Sequence, residues 1–343
     1  VLELTALNAA HELIRRGYAA DLPSLRVREL SGGVSNVVLL VESESERFVV
    51  KQARGKLRVK SDWQCSVERI WREVDVLAAY RALLGGQASQ LPEILWTDRE
   101  LYAYAMTAAP AEARAWKEHL LAGDVSLDLA AACGSLLGTM HAASWQRSDL
   151  AHQFADRTFF EQLRLEPYFA FAAERYPSLS GPLQQLIVSN RAHPCALVHG
   201  DFSPKNLLVC EPPSVEGSPS LLLIDFEVGH FGDPSFDLGF FLTHLVLKAI
   251  HLPRVRHVLI AAIETFWQAY LQQLQTLITP EELTALNERT RQQLAGCLVA
   301  RVHGKSPVDY LSPDQQTVAV ELATRLFSGA DNTWLATVRD FLT

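Results

Sequence analysis

The apolar pattern of this chain changes period once, near residue 107, and that change limits what the chain can fold into. Before it, residues 25–30, 37–43 and 47–53 are short runs rich in β-branched side chains, separated by turn formers, and they read as strands; 93–97 and 101–107 read as two more short strands. Val67, Ile70, Val74 and Leu77 recur at three- and four-residue spacing, which predicts a helix over 62–84 stopped by Gly85-Gly86. A short helix over 5–16 precedes the strands, with Thr5 as its N-cap and Leu7, Ala10, Leu13 and Ile14 on one face. Beyond Pro110 the period is helical, over 126–143, 157–176, 181–192, 236–250, 254–278, 280–302 and 313–327. The expected architecture is α+β and bilobal. Residues 1–107 carry a five-stranded antiparallel sheet with a helix packed on it, and residues 108–343 form a mainly helical lobe. A length of 343 residues agrees with this, because one core of ordinary size does not fill such a chain.

Composition narrows the function classes. The net charge is −8, and no Lys/Arg cluster stands out against it, so a nucleic-acid partner is not expected. The most apolar stretch, 238–250, is interrupted by Thr243, His244 and Lys248, and no signal-type apolar segment opens the chain, so no membrane partner is expected. Five cysteines are scattered without a CxxC pair, which fits neither a zinc knuckle nor a disulfide framework and suits the cytoplasm. Residues 212–220, rich in Pro and Ser, read as a surface loop between two strands.

The chemistry concentrates between residues 199 and 239. His199-Gly200-Asp201-Phe202-Ser203-Pro204-Lys205-Asn206 places a carboxylate able to take a hydroxyl proton five residues before an amide oxygen able to hold a metal. The apolar run Leu221-Leu222-Leu223-Ile224 then delivers Asp225 and Glu227, which on extended backbone face the same side and can share one cation. Asp233-Pro234-Ser235-Phe236-Asp237-Leu238-Gly239 follows. Turn residues alone explain His-Gly-Asp or Pro-Lys-Asn taken singly; the strand and second carboxylate that follow favour a phosphotransfer site.

This set resembles the small-molecule branch of the protein-kinase-like fold, the superfamily of aminoglycoside phosphotransferases, choline kinases and methylthioribose kinases. Protein kinases carry Gly where Glu227 stands and an activation segment ending in Ala-Pro-Glu, and this chain has neither. The resemblance implies ATP and Mg2+ as cofactors, a small-molecule hydroxyl acceptor as partner, and an activity transferring the γ-phosphoryl group. Asp201 is then the base, Asn206, Asp225 and Glu227 the metal ligands, His199 the residue ordering the loop and Asp237 its brace. The first hundred residues fit independently. Lys51 ends an apolar run and Glu73 lies on the following helix, in the places of the phosphate-contacting lysine and its glutamate partner. Gly32, Gly33, Ser35 and Asn36 resemble the phosphate-covering loop, and Met106 lies at the position of the interlobe hinge that contacts the adenine.

Residues 116–123, 164–168 and 300–305 look most like methylthioribose kinase, which points to a sugar or polyol hydroxyl, with Arg301 on the acceptor. That kinase carries two adjacent arginines in its C-terminal region, whereas Arg301 stands alone here. An aminoglycoside or amino-alcohol acceptor requires acidic groups instead; Glu281, Glu282 and Glu288 are available, but their spacing also suits a solvated helix face. A catalytically silent nucleotide-binding module, a hydrolase centred on His199 and Asp201, and self-association as a homodimer remain open. Gly304-Lys305-Ser306 resembles the end of a Walker loop but lacks the glycine five residues earlier, where Val299 stands.

Overall fold

The computed structural model describes residues 2–21, 23–30, 36–55, 65–215, 218–329 and 333–343. The chain begins with helix α1 (Ala9–Arg15) and strands β1 (Arg26–Glu29), β2 (Asn36–Glu42) and β3 (Arg47–Ala53), followed by α2 (Arg69–Leu84), β4 (Ile94–Asp98) and β5 (Ala103–Thr107). The five strands form one antiparallel sheet in the order β1-β2-β3-β5-β4. Its pleat explains the sequence pattern. Leu39, Val41, Phe48, Val50, Ala103 and Ala105 pack with Leu4 and with Ala9 and Leu13 of α1, while Leu40, Val49, Ala53, Tyr104 and Met106 face Ile70 and Trp71 of α2. The central strands β2, β3 and β5 are therefore covered on both faces and apolar on both sides, while the edge strands β1 and β4 are partly exposed.

Two N-terminal boundaries differ from expectation. Thr5 and Asn8 bond each other's backbone N–H groups at 3.3 and 2.8 Å, as a capping pair does, but the helix proper starts only at Ala9. Leu7 consequently sits in the turn, 97% exposed, and the buried face is Ala9, Glu12 and Leu13. Helix α2 starts at Arg69, after turns over 67–68; the first part of the expected span, 62–64, lies outside the described residues. Its end agrees, with Gly85 at φ 51° taking over where Leu84 stops.

The second half is mainly helical. It holds β6 (Arg114–Ala115), α3 (Trp116–Ala122), α4 (Leu127–Ser144), α5 (Ser148–Gln153) and α6 (Thr158–Phe160). A π-helical segment, Glu161–Ala170, follows, with α7 (Phe171–Arg175) and α8 (Ser180–Ala192). Next come β7 (Ala196–Val198), β8 (Leu207–Val215), β9 (Ser218–Leu223) and β10 (His230–Gly232). The chain closes with α9 (Pro234–His251), α10 (Arg256–Leu274), α11 (Pro280–His303), α12 (Pro313–Ser328) and α13 (Trp334–Leu342). Helix α4 packs along α10, and α9 along α11, around one apolar core. Gly239 makes the second pairing possible: a Cβ there would collide with Gln293 and with the backbone of Leu294.

Two short sheets, β7 with β10 and β6-β8-β9, carry the loops of the 199–239 region. The expected surface loop over 212–220 is instead mostly a continuation of the hairpin, with Val215 opposite Ser218 and a register shift after Cys210, where two prolines interrupt N–H donation. Pro167 sits inside the π-helical turn, where the wider winding accommodates a residue that cannot donate a helical bond. All five cysteines are free. No single described helix is long and apolar enough to cross a membrane.

Candidate active site

Strand β7 leads into the loop that carries His199, Gly200 and Asp201. Gly200 takes φ 74°, and a Cβ on it would stand 2.9 Å from Val228 Cγ2 and 3.0 Å from the Val228 carbonyl, so both the turn and the close approach require glycine. Asp237, in the first turn of α9, accepts the backbone N–H groups of His199 and Gly200, both at 2.7 Å, and lies 3.2 Å from His141 Nε2. Burial works against the Asp237 charge, but His141 and these donors hold its carboxyl below the usual range. The His199 ring accepts the Asp201 N–H at Nδ1 (3.1 Å) and meets the Ile224 carbonyl at Nε2 (3.2 Å); burial lowers its pKa, which fits a neutral ring donating from Nε2. Both ring nitrogens are engaged within the protein, so His199 is committed to loop geometry.

Asp201 is 3% exposed and surrounded by donors. Asn206 Nδ2 and Lys205 Nζ reach its Oδ2 at 2.8 and 3.2 Å, and Arg164 reaches its Oδ1 at 2.9 Å. Burial opposes ionisation here, yet Arg164 and Lys205 keep the carboxyl below its ordinary range. Arg164 is the main group that the sequence pattern does not single out. It lies in the π-helical segment, and its guanidinium also donates to the carbonyls of Gly200 (2.9 Å) and Leu163 (2.7 Å). The hint in the sequence is its place in the 164–168 segment that resembles methylthioribose kinase, a resemblance that gives the arginine no role of its own.

Asp225 follows β9 at φ 77°, left-handed backbone that a non-glycine residue rarely adopts. Lys51 Nζ, from β3, bonds Asp225 Oδ1 at 2.9 Å and Glu73 Oε1, from α2, at 2.5 Å. Burial disfavours the Lys51 ammonium, but Asp225 and Glu73 more than offset it and raise its pKa; burial pushes Glu73 up against the pull of Lys51. Glu73 also accepts the Phe226 N–H at 3.3 Å, so one carboxylate joins the helix, the strand lysine and the Asp225 turn.

Two expected ligands, Glu227 and Asn36, also bond within the protein. Glu227 Oε2 accepts from Arg69 Nε and from Asn36 Nδ2, each at 3.1 Å, and Arg69, fully buried, also donates to the carbonyls of Arg54 and Ser66 at 2.9 Å. Asn36 thus binds Glu227 at the start of β2, and Glu227 is clamped beside Asp225 by a cation of the protein's own. Met106 is an interior strand residue in register with Val49 and Ile94, so the chain leaves the sheet only after Thr107. Gly32, Gly33 and Ser35 lie outside the described residues.

Magnesium needs hard oxygen donors and retains water and phosphate oxygens alongside one or two protein ligands. Among the described residues no group of three or more His, Cys, Asp or Glu side chains gathers as a metal site. The donor set fits that sparse coordination. Asn206 commits its amide nitrogen to Asp201, and its amide oxygen has no protein hydrogen bond among the described residues. Asp225 uses one oxygen on Lys51 and keeps the other available.

Arg301 bonds Tyr168 Oη at 3.1 Å and Ser306 Oγ at 3.2 Å. The acidic candidates stand apart: Glu282 completes a capping box with Thr279 at the start of α11, Glu281 is exposed in the same turn, and Glu288 holds Arg291 and Gln292.

Known proteins resemble this chain in sequence pattern and in fold. A family model described as the phosphotransferase enzyme family matches residues 26–280, well over half of the chain. Among curated proteins, methylthioribose kinase 2 of Oryza sativa subsp. japonica is 23% identical over 257 residues, 66% of this chain and 57% of that protein's length. Among solved structures, choline kinase of Cryptosporidium parvum Iowa II has a TM-score of 0.57 at 12% identity, covering 98% of this chain and 99% of that one. An ethanolamine kinase of Plasmodium vivax has a TM-score of 0.54 at 12% identity, covering 96% and 84%. A spectinomycin phosphotransferase in complex with ADP and spectinomycin has a TM-score of 0.53 at 14% identity, covering 99% of both chains. These structures share the bilobal fold with this chain.

Proposed function

This chain belongs to the phosphotransferase enzyme family, and on that premise we propose that it transfers the γ-phosphoryl group of ATP, with Mg2+, to a hydroxyl of a small sugar or polyol. The observation that carries the reading is the 2.9 Å bond between Lys51 and Asp225, which closes the sheet's lysine-glutamate pair onto the loop that leads back to Asp201 and Asn206. Mg2+-ATP supplies the phosphoryl group and the charge neutralisation that such transfer depends on.

The residues then divide the work. Lys51, kept charged and in place by Glu73, holds phosphate oxygens; Asp225 and Asn206 offer the metal their open oxygens. Asp201, kept ionised by Arg164, orients the acceptor O–H and takes its proton as the phosphoryl group arrives. Lys205, half-exposed and on the same carboxylate, is free to swing toward the transferred group. Glu227 shapes the loop through Arg69 and Asn36.

The test is ADP release from Mg2+-ATP over a panel of sugars and polyols, comparing wild type with Asp201→Asn. The variant should lose about 10²–10⁴-fold in turnover while its affinity for ATP changes little, because the metal ligands and Lys51 are untouched. Full activity of Asp201→Asn on a responsive acceptor would remove Asp201 from the role of base.

A further inference from the structure

Helix α9 contains one side chain that neither the fold nor the transfer step uses. Lys248 is wholly buried, yet among the described residues its Nζ bonds the His244 carbonyl alone, at 3.2 Å, and stands 5.7 Å from the Tyr310 ring. A desolvated ammonium is costly unless a counter-charge accompanies it. Among the described residues none does: the carboxylate nearest in function, Asp201, is taken by Arg164 and Lys205, and Lys248, Arg301 and Lys117 have no acidic partner.

Its neighbours deepen the imbalance. Burial lowers the Lys248 pKa to about 7, and Lys117 of α3 and Arg301 of α11 push it the same way. His244 is lowered by burial and then by Lys248, Arg301, Lys205 and Lys117, cations from three helices and the catalytic loop. Two further donors are idle: Arg301 Nε and the Tyr310 hydroxyl are buried without a hydrogen-bond partner. The cluster abuts the catalytic carboxylate. Lys117 donates its backbone N–H to the Pro204 carbonyl at 2.9 Å, and Arg301 and Arg164 each lie 5.9 Å from the Tyr168 ring.

Resting on the phosphotransfer reading above, we propose that the acceptor is an anion, whose carboxylate or phosphate group seats against Lys248, Arg301 and Lys117 while its hydroxyl meets Asp201. An anion supplies the missing counter-charge to the buried ammonium and occupies the free edge of the Arg301 fork and the Tyr310 hydroxyl. An amino alcohol or aminoglycoside adds one more cation to a site already crowded with them. A neutral polyol leaves the imbalance as it is.

The probe is inorganic phosphate, which needs only the anion subsite, titrated in thermal melts with Mg2+ and a non-hydrolysable ATP analogue at saturation and compared with sodium chloride of equal ionic strength. Wild type should show saturable stabilisation. Its midpoint should rise about tenfold or more in Lys248→Met, while Arg339→Gln, at an exposed position of α13, should behave as wild type. A ligand-free Lys248→Met melt at or above that of wild type shows that the variant folds, and Lys248→Gln repeats the measurement. No saturable phosphate effect in wild type, or one unchanged in both Lys248 variants, overturns the proposal. Turnover on gluconate and glycerol 3-phosphate against glycerol and ethanolamine then separates carboxylate from phosphate. A neutral or amino acceptor with the higher kcat/KM overturns the anionic acceptor and leaves the kinase standing. Phosphate binding dependent on Lys248, with no transfer to any acceptor, leaves the anion site standing and removes the kinase.

Discussion

Replacing Arg164 with Met tests the centre of the site most directly. Arg164 donates to Asp201, Gly200 and Leu163 at 2.9, 2.9 and 2.7 Å from a buried position, and its guanidinium lies 5.9 and 5.8 Å from the Tyr168 and Phe240 rings. Met fills much of the volume but strands the Asp201 charge and two carbonyl oxygens. Breaking a buried ion pair by removing one member costs roughly 3–5 kcal/mol, because the other charge stays desolvated. Asp201 retains Lys205, a half-exposed partner, so the lower end of that range applies, about 3 kcal/mol. Urea denaturation reads this as a shift of midpoint at constant m. The decisive form is a double-mutant cycle. In an Asp201→Asn background the charge is already gone, and Arg164→Met should cost only its carbonyl bonds, leaving a coupling of about 1.5–2 kcal/mol between the two positions. Additive effects, with coupling below about 0.5 kcal/mol, would show that the pair does not form in solution and that another group keeps Asp201 ionised.

Three other substitutions reach separate parts of the site. Glu73→Gln removes the anchor of Lys51 and should raise the KM for ATP and lower kcat by about 10–100-fold together, whereas an effect on the acceptor's KM alone would place Glu73 outside the nucleotide site. Gly200→Ala forces a Cβ against Val228 at φ 74° and should destabilise by about 1–3 kcal/mol with loss of turnover; a wild-type melt would contradict the closeness of that contact. Lys248→Met should stabilise the ligand-free protein in a pH-dependent way. The unfolded lysine holds its proton to near 10.5 while the folded one, facing Lys117, Arg301, His244 and Tyr310, releases it at about 7, so the penalty is full below pH 7 and fades as pH rises toward 10.5. The gap in stability between variant and wild type should therefore be largest at pH 6–7 and shrink by pH 10, and a gap that grows with pH refutes the reasoning.

How much of this was legible in the sequence depends on how far each group acts through its local pattern. The sheet was, because strands covered on both faces carry a dense β-branched signature, and Lys51 and Glu73 stand out as charges inside apolar periods. The loops at 199–206 and 225–237 were readable because their chemistry is contiguous. Arg164 was not: it reaches Asp201 from a π-helical turn around Pro167, and no spacing rule for an ordinary helix places it there. Neither was the clamp on Glu227, whose members Asn36, Arg69 and Glu227 come from three separate elements and meet only in the folded chain. Short helices α3 and α5 lack the two turns over which an apolar stripe becomes visible, and Lys248 looked like an interruption in a hydrophobic run because its surroundings are contributed by α3 and α11.

The clamp has a consequence for how this sequence can drift. Arg69 is fully buried and simultaneously meets the Glu227 carboxylate, the Asn36 amide oxygen (3.4 Å) and the backbone at Arg54, Cys65 and Ser66. Losing the arginine alone takes the guanidinium from a buried carboxylate; losing the glutamate alone takes the carboxylate from a buried guanidinium; losing the asparagine removes the amide that bonds to both. Each single step passes through a less stable protein than either end point. The three positions should therefore be inherited as a unit, changing together or not at all across the descendants of this chain, even though 158 residues separate Arg69 from Glu227.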